Sequence, residues 1–114
     1  MIYASESLAL SLVESLVHIS GRLPLDYVAF RIRVPEEQVE TLDAGRLPRH
    51  WHRDLTLTRA IGDQWMEQQR SVAIAVPSAV LPVGLNVLLN PAHRRFRSVE
   101  VVSEESFSFD ARLR

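Results

Sequence analysis

The 114 residues contain neither cysteine nor lysine, and each absence removes a class of chemistry. Without cysteine there are no disulfides, no thiolate metal sites and no cysteine nucleophile. Without lysine there is no Schiff-base amine, no P-loop lysine and no lysine general base; all 13 basic residues are Arg. Glycine is scarce too. The four glycines fall into neither a dinucleotide fingerprint nor a P-loop, and the nucleophile-elbow pattern G-x-S-x-G is absent, so any nucleotide bound here lacks a glycine cradle. No apolar run reaches the roughly 18 residues that suggest a membrane span. The apolar opening of residues 1–17 has no basic start and is interrupted by Glu6 and Glu14, which is unlike a signal peptide. A net charge of −1 argues against broad nucleic-acid binding, which needs several uncompensated cations facing the phosphates. These exclusions point to a soluble cytoplasmic protein, and the length points to one domain spanning residues 1–114.

What is present reads as a mixture of helices and strands. Hydrophobic residues make up 46% of the chain, enough for a real core. Ser5 is positioned to cap a helix over 5–18, with Glu6 in its first turn near the positive end of the dipole. Leu8, Ala9, Leu10, Leu12, Val13, Leu16 and Val17 form a broad apolar arc on that helix. Ser7, Ser11, Glu14 and His18 stack along a polar stripe. Gly21 and Pro24 break the chain before a half-buried strand over 27–34, in which Val28, Phe30, Ile32 and Val34 alternate with Tyr27, Ala29, Arg31 and Arg33. Pro35 suits the start of a short acidic helix over 36–42, and 43–56 reads as a loop. A second helix is expected over 57–69, capped by Thr56, with Gly62 marking close packing. Val-Ala-Ile-Ala-Val at 72–76 has the length and β-branching of a fully buried strand. Further strands are expected at 85–89 and 98–103, with a weaker one at 107–112. The fold class is therefore α/β (α+β), in one domain.

Three constellations have ordinary explanations. His50 and His52 lack a third ligand at a familiar spacing and sit among Arg residues that repel a cation, so no metal site is expected; Trp51 anchors this exposed loop. His93, Arg94, Arg95 and Arg97 form a basic cluster that reads as a solvated charge run. By periodicity alone Glu14 lies on the solvent side of an amphipathic helix, and Ser78 after Pro77 is ordinary turn chemistry.

The order and wording of several segments change that weighing. Ile-Tyr-Ala-Ser-Glu-Ser-Leu-Ala-Leu at 2–10 is followed by Val13-Glu14 and Leu16-Val17-His18. Then come Gly62-Asp63-Gln64-Trp65, Arg70-Ser71, Val76-Pro77-Ser78-Ala79-Val80 and Asn86-Val87-Leu88-Leu89-Asn90-Pro91-Ala92-His93. No segment is diagnostic alone, but the ordered set resembles the RES domain, a family named for an Arg, a Glu and a Ser. The resemblance runs from Ile2 to the region of Phe109 and Asp110. The family's Glu matches Glu14, its Ser matches Ser78 and its site-lining Tyr matches Tyr3. Its Arg has no match, because it belongs to a segment that would precede Met1, so the N-terminal part of the domain is expected to be missing.

The resemblance implies an ADP-ribosyltransferase-like fold with a mixed β-sheet core and flanking helices, and a toxin of a type II toxin–antitoxin pair. It further implies NAD+ as a substrate and not a bound cofactor, degraded or used for ADP-ribosyl transfer, with activity conditional on the Arg segment. Glu14 and Ser78 would be catalytic, Ser78 also positioning nicotinamide or ribose, and Tyr3 would stack on a ring. The implied partner is a helix-turn-helix (Xre-type) antitoxin, with a homodimer also allowed. The second reading is a catalytically inactive, truncated RES module that only binds its antitoxin.

Overall fold

The Val-Ala-Ile-Ala-Val run forms the centre of the molecule. The computed structural model describes residues 1–18, 26–108, 110 and 112. In chain order its main elements are β1 (Ile2–Ser5), α1 (Leu8–His18), β2 (Asp26–Arg33), β3 (Val39–Thr41), α2 (Leu55–Gln68), β4 (Ala73–Pro77), β5 (Leu85–Leu89) and β6 (Glu100–Ser108). A mixed four-stranded sheet has the order β1-β5-β4-β3: β1 with β5 and β5 with β4 are antiparallel, whereas β4 with β3 is parallel. The parallel pair needs a crossover, and α2 supplies it. The architecture is α+β, in line with a RES fold. Val72, Ala73, Ile74 and Ala75 are buried together with Leu89, Leu10 of α1 and Trp65 of α2, so the core lies around β4. The Trp65 indole donates to Ser71 Oγ at 2.9 Å, satisfying the one polar group of that buried ring.

β2 and β6 form a separate antiparallel ribbon, with Tyr27 stacked on Phe107 at 5.9 Å between ring centroids. The radius of gyration, 15.1 Å, exceeds the value of about 13 Å usual for this chain length, as a projecting ribbon requires.

Several expectations change in three dimensions. Residues 2–5 are a strand because their backbone groups pair with β5. The α1 helix therefore starts later, and Ser7, not Ser5, caps it by accepting from Leu10 N at 3.1 Å. Glu6 precedes the helix, and its carboxylate accepts from Leu85 N at 3.0 Å. The acidic segment forms only a 3-10 turn, Glu36–Gln38, before the β-branched Val39 and Thr41 pair with the otherwise open edge of β4. The loop at 43–56 contains two more such turns, Ala44–Arg46 and Trp51–Arg53. Asp54 caps α2 by accepting from Leu57 N at 3.0 Å, which leaves Thr56 inside the helix. In β2, Tyr27 and Ala29 are the less exposed residues while Val28 and Phe30 face outward. The register shifts between Arg31 and Ile32, where Val102 of β6 is the extra residue, and Ile32 is less exposed than Arg31 and Arg33. The strand expected over 98–103 is β6, which begins later and runs through Phe107. The break at Gly21 and Pro24, and Phe109, lie outside the described residues.

Gly62 does not mark close packing: a Cβ added there would meet only the Met1 methyl, at 3.6 Å. Gly84 does, since a Cβ there would lie 2.9 Å from Leu10 Cδ2. A bare backbone at that turn lets α1 settle onto the β4–β5 connection. His93 is buried and accepts from Arg95 N through Nδ1 at 3.0 Å. Its other nitrogen, Nε2, is then the protonated one and donates to the Gln69 carbonyl at 2.9 Å, tying down the left-handed residue that ends α2. His93 is thus structural, while Arg94, Arg95 and Arg97 are exposed.

Candidate active site

Leu10 and Glu14 are one helical turn apart, so they project from the same side of α1. Leu10 is seated against Gly84, and that contact carries Glu14 to the ends of β4 and β5. The Glu14 carboxylate is half-buried and turned toward the sheet, not to open solvent as its helical stripe suggests. The sheet claims this polar face because it presents donors there. Ser78 Oγ donates to Glu14 Oε1 at 2.5 Å, and Asn86 Nδ2 donates to the same oxygen at 2.6 Å. Both are charge-assisted bonds, the stronger kind when water is partly excluded.

Ser78 is fully buried at the first position after β4. Its amide extends the ladder by donating to the Gly84 carbonyl at 2.9 Å. Its hydroxyl accepts from Val80 N at 3.1 Å and Leu81 N at 3.0 Å while donating to Glu14. A serine hydroxyl offers one donor and two acceptor lone pairs, and all three are engaged. The turn chemistry expected for a Ser after Pro is therefore present, and the same atom also orients Glu14.

Asn86 is held in turn by Ser5, whose hydroxyl donates to Asn86 Oδ1 at 2.9 Å. The two residues are register partners across β1 and β5, which places their side chains on one face of the sheet. One bonded chain thus runs Ser5, Asn86, Glu14, Ser78 and draws on β1, β5, α1 and the end of β4. Sequence reasoning missed Ser5 and Asn86 as site residues. The available signal was an Asn inside a strand, a position where Asn is depleted and usually has a reason.

Tyr3 is brought to the neighbourhood but not to the carboxylate. It stands on β1 with 76% of its surface exposed, two residues from Ser5 and therefore on the same sheet face. Tyr3 and Ser5 line a groove of about 680 Å³ between α1, from which Ser11 and Ser15 project, and the β2–β6 ribbon. That volume suits a small organic ligand, for which about 300–1,000 Å³ is usual. Glu14 is not among the groove-lining residues; Ser5 connects its hydrogen-bond chain to the groove wall. Of the apolar neighbours of Glu14 on α1, Leu10 is buried, whereas Val17 is exposed.

His50 and His52 stand apart from this site on the loop before α2, their ring centroids 6.5 Å apart. Among the described residues, no three His, Cys, Asp or Glu side chains form a group able to hold a metal ion. No helix among them is long and apolar enough to cross a membrane.

The sequence model of the RES domain matches residues 1–110. A protein named Toxin Res from Photorhabdus laumondii is 35% identical over 116 aligned residues, covering 98% of this chain and 74% of the relative. Toxin Res from Yersinia enterocolitica is 34% identical, covering 99% and 77%. A Prs ADP-ribosylating toxin from a Sphingobium species is 33% identical, covering 99% and 74%.

Proposed function

This chain belongs to the RES domain family, and from that premise we propose that it is a RES-type toxin that consumes NAD+ at Glu14. The observation that carries the reading is a carboxylate fixed by two donors at 2.5 and 2.6 Å and joined through Asn86 and Ser5 to the wall of a groove of ligand size. Similarity to proteins named Res toxin and ADP-ribosylating toxin supports it.

The chemistry follows from the leaving group. As the bond between nicotinamide N1 and ribose C1′ breaks, its electron pair goes to the nicotinamide ring and positive charge develops on the ribose, as in glycoside cleavage. A carboxylate about 4 Å from that charge attracts it by about 4 kcal/mol at an effective dielectric near 20, worth up to about three decades of rate. An acceptor oxygen then bonds to C1′ and loses its proton. With water the products are ADP-ribose, nicotinamide and a proton; with a protein side chain the product is an ADP-ribosylated protein. Ser78, with its hydroxyl fully engaged inside the protein, holds Glu14 and has no donor left for attack or for a ligand. Tyr3, largely exposed in the groove, offers a ring for stacking on a base. The protein acts in the cytoplasm, paired with a helix-turn-helix antitoxin that covers the groove.

The test is nicotinamide release from NAD+ by the purified protein and by Glu14→Ala. The variant is expected to lose about two to three decades in kcat. Equal turnover by both would refute the role of Glu14. No turnover by either, together with a stable antitoxin complex, would favour a module that only binds its antitoxin.

A further inference from the structure

We infer that Asn86 is a positioning residue that sets the orientation of the Glu14 carboxylate, and that Ser5 locks Asn86 in the orientation this requires. The inference rests on the role proposed for Glu14 and adds to it the device that aims the side chain.

Glutamate has three rotatable side-chain bonds, and each hydrogen bond from a new direction narrows the orientations its carboxylate can take. Beside the bond from Ser78, Glu14 takes a second from another direction. Asn86 supplies it from β5, while Ser78 supplies the first from the turn after β4. An Asn side chain can itself flip, exchanging its donor and acceptor ends with little change of shape. In the flipped state an amide oxygen would face the carboxylate and repel it. The carboxylate, which can only accept, excludes that state; with Nδ2 committed to Glu14, Oδ1 is turned to Ser5, whose hydroxyl donates to it and holds the amide in place. The Ser5–Asn86 pairing is itself fixed by strand register, because β1 and β5 place these residues directly opposite each other. The aim of the carboxylate is therefore built on two strands and is not left to a loop. Asn86 contacts Glu14 and not the groove, since it is absent from the groove lining.

The experiment measures NAD+ turnover, thermal stability and the carboxyl carbon resonance of Glu14 in wild type, Asn86→Ala, Ser5→Ala and Ser5→Thr. Asn86→Ala is expected to lower kcat by about 10- to 100-fold, the size of one lost hydrogen bond to a charged group, with KM changed less than about threefold. The Glu14 resonance should move. Ser5→Ala should lower kcat by a smaller factor, and Ser5→Thr, which keeps the hydroxyl, should recover most of that loss. A wild-type kcat with an unmoved resonance in Asn86→Ala would overturn the inference, and so would a raised KM at unchanged kcat, which would mean that Asn86 touches substrate. If Asn86→Ala does not fold, the Ser5 pair decides: equal turnover by Ser5→Ala and Ser5→Thr overturns it. If the wild type does not cleave NAD+ but the resonance moves in Asn86→Ala, the positioning role stands and the NAD+ reading falls.

Discussion

Replacing Ser78 by Ala removes one oxygen that makes three hydrogen bonds, and the structure allows the cost to be divided among them. The bond to the Glu14 carboxylate is charge-assisted and partly buried, so its loss should cost about 1.5–3 kcal/mol. The amides of Val80 and Leu81 lose their acceptor too; both bonds are part-buried and uncharged, so each loss costs less than that of the bond to the carboxylate. Their joint contribution should be about 1 kcal/mol. The total, about 2.5–4 kcal/mol, is a large share of the roughly 5–15 kcal/mol that stabilises a small domain. It corresponds to a fall in Tm on the order of 10 °C. The assay is urea unfolding of wild type, Ser78→Ala, Glu14→Ala and the double variant. If the two side chains stabilise each other as the geometry implies, the cycle should return a coupling energy of about 1.5–3 kcal/mol. Additivity within about 0.5 kcal/mol would refute the reasoning, because it would mean that the bond contributes nothing net in solution.

The glycines give a contrasting pair. Gly62→Ala should stabilise by about 0.5–1 kcal/mol in thermal unfolding, because the new methyl meets only the Met1 side chain at ordinary contact distance and the helix gains propensity. Gly84→Ala should destabilise by about 1–3 kcal/mol and lower NAD+ turnover, because the methyl displaces the buried Leu10 side chain and with it the turn of α1 that carries Glu14. Asp54→Ala should cost about 0.5–2 kcal/mol by removing the cap of α2, with Thr56→Ala nearly silent; the reverse order in urea unfolding would return the cap to Thr56.

The limits of sequence reading are clearest at the N-terminus and at Glu14. β4 and β5 were legible because a short apolar run between turn signals, β-branched in β4, carries its own strand signature. β1 was not, because four residues hold too few periods to separate a strand from the helix that follows, and pairing with β5 decided the matter. At β3 the same tertiary pairing overrode an acidic stretch that reads locally as helix. Glu14 shows a different limit. Helical spacing identifies the residues that share its face, but it carries no information about what that face meets. An apolar arc was expected to face the core, yet Leu8 and Val17 are more than half exposed while Glu14 turns inward.

By itself, then, the sequence determined what chemistry is excluded, through its lack of cysteine, lysine and glycine motifs, and which segments are able to be strand or helix. Those are properties of composition and of neighbours a few residues apart. The ordered family segments pointed to Glu14, Ser78 and Tyr3. Only the tertiary structure decided that Glu14 meets Ser78, 64 residues on, and Asn86, 72 residues on. The reason is that a half-buried carboxylate must find donors wherever the fold brings them. Here those donors stand at the ends of two antiparallel strands, whose register no local pattern encodes.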